Sequence, residues 1–294
     1  VSWWVIVNPG AGGGRHDAVA RTTTALREHG IDAEVRASSS PGNVAELVDE
    51  ARRQDYSDFV AVGGDGTTNL VVDALMRVSW DEPPVLGVLP AGSGSDLIRT
   101  FGRSQVLEES VKYLAGDETY PVDVGHIIGQ WGDRYFINVA EVGIGADVVR
   151  LAARLPHRLG AFRYKAAIWP ILARFSRRPI KLTTDDKVFE SEAIIVVMAN
   201  AQFFGGGMNV APKGSMVDGR LDVQVFTGPK RQVITLQPRL TRGTHLTHRH
   251  VRRFVASRVR VEGIEGWGVE ADGEYLGEGG VEASVVESAI RFKI

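Results

Sequence analysis

The sequence predicts an α/β domain on a parallel, doubly wound sheet, followed by a mainly antiparallel β domain. Three observations carry this. Over the first ~120 residues strand-like and helix-like patterns alternate, the order that builds a parallel sheet covered on both faces. After Tyr120-Pro121 strand candidates follow one another with turn glycines between them. Within the first of these textures, the apolar run Val60-Ala61-Val62 stops at Gly63-Gly64-Asp65-Gly66-Thr67-Thr68-Asn69, a buried strand running into a glycine turn and a helix.

The elements follow in order. Trp3 to Val7 reads as a strand, and His16 to His29 as a helix with Val19, Thr23 and Leu26 at helical spacing and Gly30 as its stop. Asp32 to Ala37 is the second strand, and Val44 to Arg53 a helix introduced by Pro41-Gly42-Asn43. Phe59 to Val62, Thr68 to Val78 and Val85 to Leu89 continue as strand, helix and strand, with helices from Asp96 and over Leu107 to Ala115. The second half offers strands at Val122 to Ile128, Arg134 to Val139, Ile180 to Thr183, Ala193 to Ala199, Leu221 to Phe226, Arg258 to Glu262, Val269 to Ala271 and Ala289 to Ile294. A helical section from Ala146 to Phe175, broken by Pro156 and Pro170, interrupts them. The expected division is a nucleotide-binding domain over 1–121, with 285–294 a candidate to return to it, and a β-rich substrate domain over 122–284.

Composition narrows the classes. The 294 residues suffice for two domains, and the absence of cysteine excludes a disulfide framework or a thiolate zinc site. No apolar run approaches the roughly 18 residues of a membrane span. The chain enters strand-like Trp3 to Val7 without a basic lead, so no signal peptide is expected. Net charge is only −2, but Val148 to Thr184 and Val223 to Val261 contain no acidic residue and many arginines. His245, His248 and His250 have no carboxylate nearby in sequence and read as a surface loop.

Three glycine-rich turns follow strands of the first half: Asn8-Pro9-Gly10-Ala11-Gly12, Gly63 to Asn69, and Gly92-Ser93-Gly94-Ser95-Asp96. In an open parallel sheet the loops at the carboxyl ends of strands converge on one ligand crevice. Backbone N–H groups at a glycine turn leading into a helix suit phosphate. Asp65 cannot bind phosphate directly and works through a cation, most simply Mg²⁺. The Walker pattern is absent, and Gly10-Ala11-Gly12-Gly13-Gly14 matches the dinucleotide fingerprint only loosely.

These motifs, together with Phe136-Ile137-Asn138, Gly143-Ile144-Gly145-Ala146, Phe204-Gly205-Gly206-Gly207, Ala211-Pro212, Asp218-Gly219-Arg220-Leu221-Asp222 and Asp272-Gly273-Glu274, resemble the diacylglycerol kinase catalytic family in order along the chain. That family comprises bacterial diacylglycerol and lipid kinases and the sphingosine and ceramide kinases, and is related in fold to NAD kinases. The resemblance implies an NAD-kinase-like first domain. It implies ATP contacts at Asn8, Pro9, Gly10, Ala11, Gly12, Gly63, Gly64, Asp65, Gly66, Thr67, Asn69 and Ser93, with a hydroxyl from Ser38 to Ser40, here Ser39, on the adenine side. Asp65, Asp96 and Asp123 are similar to carboxylates that hold the catalytic Mg²⁺ through water. Asp272 resembles the general base, with Glu274 close to the nucleotide. Asp218, with the carbonyls of Ser215 and Arg220, resembles a separate structural Mg²⁺ site. By themselves, Asp218-Gly219 and Asp272-Gly273 are equally ordinary turns.

One position departs from the pattern. The third motif of the family reads Gly-Thr-x-Asn-Asp, whereas this chain carries Ser93 and Ser95, which removes an amide donor at 95. The basic segments interleave arginines with Leu151, Leu155, Phe162, Trp169 and Phe175, a composition suited to an anionic membrane surface. The reading that results is a cytoplasmic, membrane-peripheral kinase moving the γ-phosphate of ATP, with Mg²⁺, to the hydroxyl of a lipid such as diacylglycerol or a sphingoid base. It expects no nucleic acid partner, and an exposed strand edge could pair two copies. The alternatives are an NAD-kinase-like enzyme on a soluble nucleotide and a nucleotide-binding regulatory protein with a degenerate site.

Overall fold

The computed structural model describes residues 2–11, 17–92, 95–156, 159 and 162–294. Gly12, Gly94 and Ser93, and the start of the expected first helix at His16, lie outside the described residues. The chain forms two compact units, Val1–Val124 with Glu287–Ile294, and Gly125–Val286.

The first unit alternates β1 (Trp3–Val7), α1 (Ala18–Glu28), β2 (Ala33–Ala37), α2 (Pro41–Arg53), β3 (Asp58–Gly63), α3 (Asp65–Met76), β4 (Val85–Pro90), α4 (Asp96–Thr100) and α5 (Leu107–Ser110), and ends within β5 (Thr119–Gly129). Strands β2, β1, β3 and β4 lie side by side and all pair in parallel. The WWVIV run of β1 and most of β3 are fully buried, as a strand covered on both faces requires. Trp3, Val5, Val7, Val60, Val62 and Leu89 pack with Leu26 and Leu107 in one core.

The second unit continues with β6 (Gly132–Phe136), β7 (Val139–Gly143), α6 (Ile144–Ala153), α7 (Phe162–Arg174), β8 (Arg178–Thr184), β9 (Val188–Ala193), β10 (Ile195–Ala199), the short β11 (Phe203–Phe204) and β12 (Met208–Asn209), and β13 (Leu221–Phe226). There follow α8 (Gln232–Thr235), α9 (Gln237–Thr241), β14 (Val251–Ala256), β15 (Arg258–Glu262), β16 (Gly268–Ala271), β17 (Glu274–Glu278) and β18 (Val281–Lys293). One antiparallel sheet runs β14-β13-β10-β7-β16-β17. In the other layer β9, β8, β15 and the first residues of β18 pair antiparallel. Val196, Met198 and Val223 of one layer share a core with Leu182, Val259 and Ala283 of the other, which makes this unit a β sandwich. The last residues of β18 belong to the first unit, where Arg291 and Phe292 pair in parallel with Val85 and Leu86 of β4.

Several element boundaries differ from the sequence reading. Helix α3 starts at Asp65, not Thr68, because Gly64 is its N-cap and its carbonyl accepts the Thr67 and Thr68 amides at 3.0 and 3.1 Å. Helix α2 absorbs Pro41-Gly42-Asn43, with Ser40 capping the Asn43 amide and Pro41 in the first turn. The single strand expected over Arg134 to Val139 is two strands, interrupted at Ile137-Asn138. The helical section starts at Ile144, and Pro170 lies inside α7 without ending it. Strands β9, β14 and β17 escaped the sequence reading because charged residues interrupt their apolar alternation. His245 is fully buried, not part of a surface loop, with Nε2 2.8 Å from Gln224 Oε1.

Candidate active site

In the first unit, the carboxyl ends of β1, β3 and β4 deliver the three glycine turns. Asn8, directly after β1, donates from Nδ2 to Thr67 Oγ1 at 3.1 Å and accepts the Gly10 amide on Oδ1 at 2.9 Å. One side chain thereby closes its own turn, through Pro9 to Ala11, and ties it to the first turn of α3. The Ala91 amide donates to the Gly63 carbonyl at 3.0 Å. A Cβ at Gly92 would stand 3.0 Å from the Gly64 Cα, and one at Gly63 would come 2.6 Å from the Thr67 Cβ. Gly92 is therefore required by close backbone approach, and Gly63 by the Thr67 side chain packed on it. Gly63→Ala should displace Thr67 from Asn8 and cost about 1–3 kcal/mol of stability, measured by denaturant unfolding.

The two acidic turns meet directly. Asp65 Oδ1 accepts the Asp96 amide at 2.6 Å, so the first residue of α3 holds the first residue of α4. Asp96 is buried and lies 3.7 Å from Arg99 Nε. Gln105 clamps the Ser95 backbone, accepting its amide at 3.1 Å and donating to its carbonyl at 3.2 Å. Asn69 and Ser95 are fully buried. Asp123, also buried, accepts the Ser288 amide at 2.8 Å and so fastens the returning C-terminal strand. Of the candidate serines, Ser38 hydrogen-bonds Val7 and Ser40 caps α2, while Ser39 is exposed, its amide donating to Asn43.

Oxygen donors of this kind fit Mg²⁺. Among the described residues no three carboxylate or imidazole side chains converge as a metal cluster. A divalent ion here would rest on one or two carboxylates with water and phosphate oxygens, the usual mode for Mg²⁺. At the second candidate site, Asp218 is exposed and Oδ1 accepts the Arg220 amide at 3.1 Å, an Asx turn that leaves its other oxygen for a ligand.

In the second unit, Asp272 is the organising group. It is buried at the end of β16 with φ 48°, followed by Gly273 at φ 83°. Its carboxylate accepts three successive amides: Ile137 on Oδ2 at 2.8 Å, and Asn138 and Val139 on Oδ1 at 3.0 and 2.8 Å. These are the amides of the interruption between β6 and β7, so the break exists because a side chain from far along the chain takes the place of a ladder partner. Burial raises the Asp272 pKa to about 6, while the three amides and Arg134 pull it down. Arg134 donates to Glu274 at 2.7 Å.

Two further carboxylates, not among the sequence candidates, stand behind Asp272. Glu141 and Glu270 face each other across β7 and β16, both buried. Burial raises Glu141 to about 7, and burial with the Glu141 charge raises Glu270 well above the ordinary glutamate range. The sequence signal was one glutamate inside each of two apolar strands, Val-Ala-Glu-Val and Gly-Val-Glu-Ala.

Glycine turns at the strand ends of one unit and a buried carboxylate of raised pKa in the other are parts that a phosphotransferase acting on an alcohol acceptor requires. Residues 2–127 match the diacylglycerol kinase catalytic domain, and residues 138–293 match the YegS C-terminal NAD kinase beta sandwich-like domain. The chain belongs to the diacylglycerol kinase family that these two domains define. It is 28% identical to the diacylglycerol kinase of Bacillus subtilis over 88% of this chain and 84% of that one. It is 29% identical to the lipid kinase YegS of Escherichia coli K12 over 69% of this chain and 67% of that one. A crystal structure of a diacylglycerol kinase from Bacillus anthracis superposes with a TM-score of 0.74 at 21% identity, over 99% of this chain and 96% of that one, and is similar in fold.

Proposed function

We propose that the protein is a lipid kinase that transfers the γ-phosphate of ATP to a lipid hydroxyl, with diacylglycerol or a sphingoid-type lipid as the acceptor class. The observation that carries this is the Asp272 carboxylate, held by three amides and poised near neutrality. With a pKa of about 6 it is ionised at pH 7 yet basic enough to take a hydroxyl proton. The glycine turns at Asn8–Ala11, Gly63–Asn69 and Gly92 receive the triphosphate on backbone amides and the α3 N-terminus. Asp65, Asp96 and Asp123 are the proposed holders of Mg²⁺, which when bound neutralises phosphate oxygens. Glu274, which accepts from Arg134, is the proposed nucleotide contact from the second unit. Asp218 with the Ser215 and Arg220 carbonyls is the proposed structural cation site.

Incubation with labelled ATP and a panel of diacylglycerol, sphingosine, ceramide and NAD tests the reading. Label in a lipid product is expected; label in NAD alone would overturn it.

A membrane surface presents such an acceptor. None of the described helices is long and apolar enough to cross a membrane. Helix α7 exposes Phe162 at 62% and Trp169 at 63%, seven residues apart and so on one side of the helix, next to Arg163 and Lys165. Elsewhere in the acid-free stretches some cations pair with acids of other strands: Arg177 with Glu192, Arg253 with Asp222, Arg260 with Glu282. The proposed anionic-membrane contact is centred on α7, where exposed apolar side chains accompany the cations. Replacing Phe162 and Trp169 with serine should lower co-sedimentation with phosphatidylglycerol vesicles about tenfold or more. Unchanged binding would remove α7 from the contact.

A further inference from the structure

We propose that Glu141 and Glu270 share one proton and act together as positioning residues for Asp272. This rests on the lipid-kinase reading for its catalytic consequence, though not for the proton itself. Directly opposite residues on antiparallel strands send their side chains to the same face, with Cβ atoms about 5 Å apart. Glu270 Oε2 accepts the Gly273 amide at 2.7 Å, immediately after Asp272. Its other oxygen, Oε1, is buried, and no donor among the described residues reaches it. A protonated Oε1 that donates to Glu141 resolves that vacancy, because a carboxyl then supplies the donor that its partner lacks.

The surroundings make the same demand. The Glu141 carboxylate lies against the first turn of α6, where a Cβ on Gly145 would overlap Oε1, so the Gly-Ile-Gly segment is shaped to receive it. Among the described residues no cation is directed at the pair. From α6, Arg150 pairs with Asp147 and with Glu278 of β17, whose Tyr275 is the remaining titratable neighbour. At the strand end, Arg134 is engaged by Glu274 and lies beside Asp272. The facing strand β10 is entirely apolar. Two ionised glutamates here would repel each other without compensation, and a retained proton removes that cost.

The pair therefore fixes the Gly273 amide, and with it the left-handed Asp272-Gly273 turn. Loss of the last shared proton would drive the two carboxylates apart and release the turn. A group whose folded pKa is raised stabilises below that pKa and ceases to do so as pH rises through it. Wild-type stability should thus fall as pH rises above the ordinary glutamate range, the Glu141 share being lost by about 7 and the Glu270 share, whose pKa is raised further, continuing to be lost in the alkaline range.

The test compares wild type with E270Q and E270A, following Tm and lipid phosphorylation from about pH 6 to 9. In E270Q the amide stands in for the protonated carboxyl. It should keep turnover within about threefold at neutral pH and lose the alkaline decline in Tm, whereas E270A should lose turnover about tenfold or more at every pH. Parallel Tm decline in wild type and E270Q, or equal loss of turnover in folded E270Q and E270A, would overturn the proposal. The Tm profiles decide the shared proton even if no lipid is phosphorylated, so failure of the kinase reading is told apart from failure of this one.

Discussion

Replacing Asp272 with asparagine is expected to lower lipid phosphorylation by about 10³-fold or more while the protein stays folded. The reason lies in opposing effects at one buried group. A rise from the ordinary aspartate value of 3.8 to about 6 corresponds to about 3 kcal/mol against the ionised form. Asparagine relieves that cost. In exchange, its NH₂ faces one of the three amides, most simply that of Ile137 on Oδ2, and leaves it unpaired at about 1–3 kcal/mol. The two nearly cancel, so Tm should move by less than about 5 °C. Nucleotide affinity, measured by calorimetry, should hold. Turnover in the wild type should also decline as pH falls below about 6, because protonated Asp272 cannot accept a hydroxyl proton; in the variant that acidic limb should be missing. Retained turnover in the asparagine variant would remove Asp272 from the base role.

Asp65→Asn should reduce turnover about 100-fold and raise the Mg²⁺ concentration needed for half-maximal rate. The asparagine oxygen can still accept the Asp96 amide, so the tie between the first turns of α3 and α4 survives and stability stays near wild type. Asp65→Ala loses that bond as well, and should cost a further 1–2 kcal/mol or so in denaturant unfolding. The contrast between the two variants separates the carboxylate charge from the backbone contact. Equal turnover in Asp65→Asn and wild type would show that no cation depends on this side chain.

Much of the site was legible because its parts are local. Asn8, Gly63 to Thr67 and Asp96 sit at ends of strongly apolar runs, where a glycine turn can only be the end of a buried parallel strand. The nature of the elements in the first unit followed from the same periodicity. What was not legible is what pairs across distance. The strand expected over Arg134 to Val139 is broken at 137–138 by a carboxylate more than 130 residues later in the chain. No local propensity encodes that. His245 looked like part of a surface loop because its side-chain partner Gln224 reaches it from β13.

By itself the sequence determined the two fold classes and the order of the glycine turns. These depend on backbone sterics and on the spacing of apolar side chains, both written in neighbouring residues. The tertiary structure alone decided that Asp272 meets three amides, that Glu141 lies opposite Glu270, and that Asp65 holds the Asp96 amide. Strand register sets those encounters, and a slip of one residue would send each side chain to the other face of its sheet. Register is a property of the whole packed sheet, so the protonation of the buried carboxylates is too.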